Sequence, residues 1–313
     1  IAMGRDESGA VRVLDENVLI RQQSALASVA HVDFFTFSNF PSVHLTLDHY
    51  IRLRRLILDK ADDYDGIVVT HGTDTLEETA YFLDLTLPLS QAVVLTGAMR
   101  SSNEPGSDGF LNLHQSVQVA AALDSENKGV LVVMNGEIHG ARFVQKMHAS
   151  HVEAFESPQS GPCGLVERSG IRYLWETVKR EYIPIRPEAL SSRIPMIKAG
   201  FDVDDSLIHF ALDRSARGLV VEGMGMGHIP PAMLPGIDRA LEKGVPVVIT
   251  SRSPKGAAEP VYDFPGGGRD LARRGVIFAR GLPAHKARIK LMVALAASPR
   301  PKTLEEIREL FSR

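Results

Sequence analysis

The sequence predicts an α/β protein made of two doubly wound parallel-sheet domains, a larger N-terminal one over 1–180 and a smaller C-terminal one over 195–313. Three observations predict it. Short β-branched runs alternate with helix-like stretches along most of the chain, the pattern of parallel strands joined by crossover helices. The alternation lapses between Glu176 and Pro195, where Pro184, Pro187 and Pro195 interrupt regular structure, as at a domain boundary. The 313 residues also fit two domains at about 150 residues each.

The N-terminal strands are Gly66–Thr70, Ala92–Thr96 and Gly129–Met134, and the C-terminal ones Gly218–Val221, Val245–Thr250 and Val276–Ala279. Between them Leu47–Leu58, Leu76–Leu85, Phe110–Leu123, Ile237–Lys243 and Lys286–Ala297 place apolar residues three and four apart, the spacing of amphipathic helices. A last helix, Thr303–Phe311, opens with Thr303 and Glu306 in capping-box register.

Composition narrows the function. Hydrophobic residues make up 44% of the chain, enough for sizeable cores. The 35 Lys and Arg against 38 Asp and Glu leave no basic footprint for nucleic acid or an anionic membrane. The longest apolar runs, Val117–Leu123 and Leu291–Ala297, are far short of the ~20 residues that span a bilayer. The expected partner is therefore a small molecule. Cys163 is the one cysteine, so an intrachain disulfide and a cysteine-rich metal site are excluded, and the cytoplasm is the default compartment. The 11 histidines lack His-Glu-x-x-His spacing, and no metal is expected. Gly223-Met-Gly225-Met-Gly227 lacks dinucleotide spacing and Gly266-Gly-Gly268 lacks the lysine of a phosphate loop. No organic cofactor is expected either.

Three segments carry chemistry. The strand Gly66–Thr70 runs into His71-Gly-Thr-Asp-Thr75 and then directly into a helix. This is the carboxyl edge of a parallel sheet, where ligands meet free helix N–H donors. Thr73 and Asp74 occupy that edge, and Thr75 reads equally well as a plain N-cap. The strand Ala92–Thr96 runs into Gly97-Ala98 and a long polar loop to Gly109. Small residues there let backbone approach a ligand; the alternative is a plain surface loop with Asp108 as helix cap. The third segment, Ala141-Arg-Phe-Val-Gln-Lys146, offers a lysine. Alone it reads as a solvated surface residue; beside a threonine hydroxyl and a carboxylate it serves as base or proton relay.

His71-Gly-Thr-Asp-Thr75, Leu95-Thr-Gly-Ala-Met-Arg100 with Ser107-Asp-Gly109, and Ala141–Lys146 together resemble the bacterial-type L-asparaginases in order and spacing. The C-terminal half adds Ser251-Arg252, Gly256 and Pro283-Ala-His-Lys-Ala-Arg288, similar to that family's second domain. The resemblance implies hydrolysis of L-asparagine to L-aspartate and ammonia through a threonine nucleophile. It implies a catalytic Thr73, Asp74 holding the substrate ammonium and pairing with Lys146, Gly72 and the Ala98 backbone at the substrate, and Ser42 binding the α-carboxylate. It also implies a homotetramer, a dimer of dimers, in which His228 and Glu259 reach a neighbouring site.

The chain departs from that pattern in places. It opens at Ile1-Ala2, where the family carries a strand and a Thr-Gly-Gly-Thr-Ile motif with the threonine usually assigned as nucleophile. The expectation is that a strand precedes Ile1, and that a gap beside Gly66–Thr70 or a nearby exposed N-terminus marks its place. Arg5–Val13 is shorter than the family's flexible loop, with no match for its tyrosine. His228 stands where relatives carry asparagine, and Val43 replaces a common polar residue. Two further readings stay open: a non-catalytic amino-acid-binding or regulatory relative, and an ammonia-supplying amidase subunit. Ammonia release from asparagine separates the first of these from an enzyme.

Overall fold

The computed structural model describes residues 3–5, 11–13, 23–175 and 180–312. Residues 6–10 of the short Arg5–Val13 loop and 178–179 at the expected boundary lie outside the described residues. Backbone packing separates two compact units, 1–182 and 183–313.

In the first unit, β1 (Met3–Arg5) and β2 (Val11–Val13) form an antiparallel ribbon, followed by the one-turn α1 (Gln23–Leu26). There follow α2 (Leu47–Lys60), β3 (Gly66–Thr70), α3 (Leu76–Thr86), β4 (Ala92–Thr96), α4 (Gly109–Ala121) and β5 (Val130–Met134). The chain then makes β6 (Glu137–Gly140), β7 (Gln145–Lys146), β8 (Phe155–Glu156), β9 (Gly164–Glu167) and β10 (Gly170–Tyr173). The main sheet has the order β10-β9-β6-β5-β4-β3.

Its β3, β4 and β5 are parallel, as the alternation predicts, because α3 and α4 supply the long crossovers that parallel pairing needs. β6, β9 and β10 are antiparallel to their neighbours, so the expected parallel sheet is refined to a mixed one within the α/β class. The cause is local. Asn135 and Gly136, at φ 50° and 80°, form a two-residue hairpin between β5 and β6, and so short a connection permits only an antiparallel return. Strand order rises monotonically in both larger sheets, so the described strands include no reversal of winding.

Residues of β4 and β5 are buried throughout, whereas all five residues of β3 are half-buried. β3 is the sheet edge. A cavity of about 630 Å³ runs along it, lined by Phe34, Ile57, Val68, Leu113 and Val117 among others.

The second unit holds a parallel sheet, β11 (Met196–Lys198), β12 (Leu219–Gly223), β13 (Val247–Ser251) and β14 (Ile277–Phe278), in that order. Its helices are α5 (Ser206–Asp213), α6 (Leu234–Glu242), α7 (Gly268–Arg274), α8 (Ala284–Leu295) and α9 (Leu304–Ser312). The core gathers Leu219, Val221, Val247 and Ile249 from the strands with Ile208, Leu212, Ile237 and Leu271 from the helices. Sequence periodicity missed α5 and α7, which are only 8 and 7 residues long. The predicted capping box is present: Thr303 N–H donates to Glu306 Oε2 at 2.8 Å, and Glu306 N–H to Thr303 Oγ1 at 3.3 Å. Among the described residues no helix is long and apolar enough to cross a membrane.

Candidate active site

The register of two strands builds the site. β3 and β4 pair with Thr70 opposite Thr96, and the His71 N–H donates to the Thr96 carbonyl at 2.8 Å. Both chains therefore leave the sheet side by side, the first into Gly72–Thr75 and the second into Gly97–Arg100. They lie very close. A Cβ on Gly97 would stand 2.6 Å from the His71 carbonyl oxygen and 3.1 Å from Thr73 Cγ2, so only glycine permits this approach.

A second close approach brings in Ser42. A Cβ on Gly72 would stand 2.8 Å from Ser42 Oγ and 2.9 Å from Ser42 Cβ. Thr75 donates from Oγ1 to the Ser42 carbonyl at 3.1 Å, and Ser42 is buried. Thr75 is the N-cap residue of α3, yet its side chain makes no capping bond; it ties the Ser42 turn to the Thr73 turn instead.

His71 is buried, and burial pushes its imidazole down to about 4. Its neutral ring clamps the turn from behind. Nδ1 lies 2.7 Å from the Gly72 carbonyl and Nε2 3.0 Å from Thr79 Oγ1. A carbonyl only accepts, which places the proton on Nδ1 and makes Nε2 the acceptor of the threonine hydroxyl.

The loop that carries Ala98 is held by a carboxylate. Asp108 Oδ1 accepts the Met99 and Arg100 N–H groups at 3.1 and 2.9 Å, and Oδ2 stands 3.0 Å from the Met99 nitrogen. Asn112 donates from Nδ2 to the Gly97 carbonyl at 3.0 Å and to Asp108 Oδ2 at 2.9 Å, and its Oδ1 accepts the Asn135 N–H at 2.9 Å. Read as a helix cap, Asp108 is corrected here: it precedes α4 but makes no side-chain capping bond, because its oxygens are committed to the loop. Ala98 itself is exposed.

Lys146 completes the group. Its Nζ donates to Thr73 Oγ1 at 3.0 Å and to Asp74 Oδ1 at 2.7 Å. The lysine side chain is 15% exposed and that of Asp74 62%, so Lys146 is not the solvated surface residue that its sequence context alone allows. Thr73, Asp74, Lys146, Ser42, Gly72 and Ala98 thus meet at one carboxyl edge. A cation, a carboxylate and a hydroxyl within hydrogen-bond reach can hold an ammonium group and move a proton from an alcohol.

His228 and Glu259 belong to the second unit. His228 packs its ring 5.0 Å from Tyr262 and 5.2 Å from Phe264, and Glu259 is exposed, with its N–H on the Met226 carbonyl at 3.1 Å. Among the described residues no group of three or more His, Cys, Asp or Glu side chains is arranged to hold a metal. Sequence reading missed His71, Thr79 and Asn112; polar residues inside otherwise apolar helices were the available signal for the last two.

Two sequence patterns of known families match the chain. One, described as Asparaginase, N-terminal, covers residues 1–179, and the other, the Glutaminase/Asparaginase C-terminal domain, covers residues 193–311. The chain belongs to the asparaginase family. An L-asparaginase of Bacillus licheniformis is 36% identical over 280 residues, covering 89% of this chain and 86% of that protein. A probable L-asparaginase of Deinococcus radiodurans is 41% identical over 279 residues, covering 88% and 84%. Among solved structures, the probable cytoplasmic L-asparaginase from Campylobacter jejuni superposes with a TM-score of 0.86 at 32% identity, covering 96% of this asparaginase-family chain and 94% of that one.

Proposed function

We propose that this protein hydrolyses the side-chain amide of L-asparagine, releasing L-aspartate and ammonia, with a threonine hydroxyl as nucleophile. The observation that carries the reading is the pair of contacts at Lys146, whose Nζ lies 3.0 Å from Thr73 Oγ1 and 2.7 Å from Asp74 Oδ1. Lys146 Nζ, 3.0 Å from Thr73 Oγ1, is placed to relay the proton released by the threonine nucleophile. The oxygen attacks the amide carbon, and the proton passes to the leaving nitrogen so that ammonia departs. Water then repeats the attack on the acyl-enzyme and frees aspartate.

The same residues suit a zwitterionic amino acid. Asp74 faces the ammonium, and Ser42 and the Gly72 turn offer donors to the α-carboxylate. Main-chain amides at the start of α3 are placed to stabilise the oxyanion, where helix N–H groups lack internal partners. The backbone at Ala98 meets the scissile amide, and the Asp108–Asn112 clamp keeps it rigid.

The protein works in this reading as a dimer of dimers in the cytoplasm, with His228 and Glu259 contributing to a neighbouring subunit's site. The likeness to the probable cytoplasmic enzyme of Campylobacter jejuni supports the compartment alone, and the assembly rests on the family resemblance. Steady-state ammonia release from L-asparagine, with L-glutamine alongside, tests the reaction. No release from either amide sinks it. Light scattering that finds an active monomer at micromolar concentration sinks the shared site.

A further inference from the structure

We propose that Glu77 is a positioning residue for Lys146: its carboxylate holds the Lys146 main-chain amide and so sets Nζ against Thr73 and Asp74. The inference rests on the amidohydrolase reading of Thr73 and Lys146.

Helix α3 is buried on every side. Leu76, Thr79, Ala80, Tyr81, Phe82, Leu83, Leu85 and Thr86 are all buried, and so is Glu77. A carboxylate in such a helix is costly unless hydrogen-bonded, so its partner says why it is there. Glu77 Oε1 accepts the Lys146 N–H at 3.0 Å. Farther along the same stripe, Asp84 Oδ1 accepts the Val130 N–H at 2.9 Å at the start of β5. The helix thus uses a buried carboxylate at position 77 and a half-buried one at position 84, two turns apart, to hold main-chain amides of neighbouring strands.

Lys146 needs such a tie. It stands in the two-residue β7, whose partner is β8, and that ribbon is separate from the six-stranded sheet carrying β3. The main sheet, which holds the chain two residues earlier through the Val144 N–H on the Gly140 carbonyl at 3.2 Å, therefore does not by itself set the distance from Lys146 to Thr73. Glu77 does so, because it sits in the first turn of the helix that begins directly after Thr73 and Asp74. One helix start carries the threonine and the aspartate and also grips the lysine. A glutamate in a first turn is favoured by the helix dipole as well, but that effect acts equally on Glu78, also in the first turn, and asks for neither burial nor this partner.

Two conservative variants separate position from charge. Glu77→Gln keeps an oxygen acceptor at the same reach and loses the charge. Glu77→Asp keeps the charge and withdraws the acceptor by one methylene. The expected result inverts the usual ranking: kcat for L-asparagine falls about tenfold or more in the aspartate variant, the glutamine variant recovers most of that loss, and KM stays within about twofold in both. Circular dichroism confirms that both are folded. A glutamine variant as slow as the aspartate one, an aspartate variant at parental rate, or KM rising in step with the loss of kcat overturns the proposal. Lys146→Met is measured alongside. If it keeps the parental rate, the reading beneath fails with the proposal; if it is inactive while Glu77→Asp is fully active, the proposal fails alone.

Discussion

Two histidines follow strands at carboxyl edges, His71 after β3 and His228 in the loop after β12, and they are treated in opposite ways. His71 has both ring nitrogens in hydrogen bonds, to the Gly72 carbonyl and the Thr79 hydroxyl. His228 lies among the rings of Tyr262 and Phe264, and among the described residues its buried Nδ1 has no hydrogen-bond partner. Burial lowers the pKa of both. The first edge is a polar network, in which both His71 ring nitrogens and Lys146 Nζ have hydrogen-bond partners. At the second, aromatic rings flank the histidine, and among the described residues its Nδ1 stays unassigned. A position in the α/β topology thus offers a place for chemistry, and the polar partners decide whether chemistry is built there.

The largest effect expected from this contrast is on the rate. Thr73→Val removes the hydroxyl with little change of shape, and Lys146→Met removes the base, so each lowers kcat by about 10²- to 10⁴-fold, with a smaller change in KM. Thermal melting of both stays close to the parent. Steady-state kinetics that leave kcat unchanged in both variants would remove the first edge from the mechanism and erase the contrast.

The next effect is on stability against pH. Folded His71 titrates at about 4 and the unfolded side chain at 6.5. The unfolded state therefore binds more protons in this window. The stability at His71 is complete above pH 6.5 and is lost as pH falls toward 4, by up to about 3 kcal/mol. Urea titrations between pH 7 and 4 check this, with His71→Gln as the control that should lose much of the slope. An equal slope in parent and variant would mean that His71 does not carry the effect.

Legibility from sequence followed the range of the interactions. The parallel strands and their crossover helices were readable because period and β-branching are local. The approach of Thr73, Asp74 and Lys146 to one another was legible in motifs far apart in the chain. The hairpin at Asn135-Gly136 was equally local, and its two-residue turn signal was passed over in favour of strand alternation. The surface-loop reading of Asp108 as a cap draws on its neighbours in sequence, whereas its partners Met99 and Arg100 stand nine and eight residues away. The Glu77 bond spans 69 residues. Such a contact depends on how α3 and β7 are brought together, and no short-range pattern records it.

Asp74→Asn ranks below these. With its side chain 62% exposed, the bond to Lys146 adds about 1 kcal/mol or less to folding, so melting should not move. Its value lies in ammonium recognition: KM for L-asparagine should rise about tenfold, which is about 1.4 kcal/mol, accompanied by a moderate loss of kcat. An unchanged KM would take Asp74 out of substrate binding and leave it only the lysine.

The smallest effect is expected at the second histidine and sharpens the comparison most. His228→Phe keeps a flat ring for Tyr262 and Phe264 and removes the buried Nδ1 that lacks a partner. Within one chain that change should be neutral or stabilising by less than about 1 kcal/mol, since an unsatisfied buried polar atom disappears. The same substitution in His71 would strand the Gly72 carbonyl and the Thr79 hydroxyl, so the two positions should respond with opposite sign. Activity separates a packing role from a shared site. If His228 serves only its own chain, the phenylalanine variant keeps parental kcat and KM. If it reaches a neighbouring subunit's substrate, KM rises while melting is unchanged or improved. A loss of stability at His228 comparable to that at His71 would show that its ring nitrogen is paired after all, and the contrast between the two edges would fall.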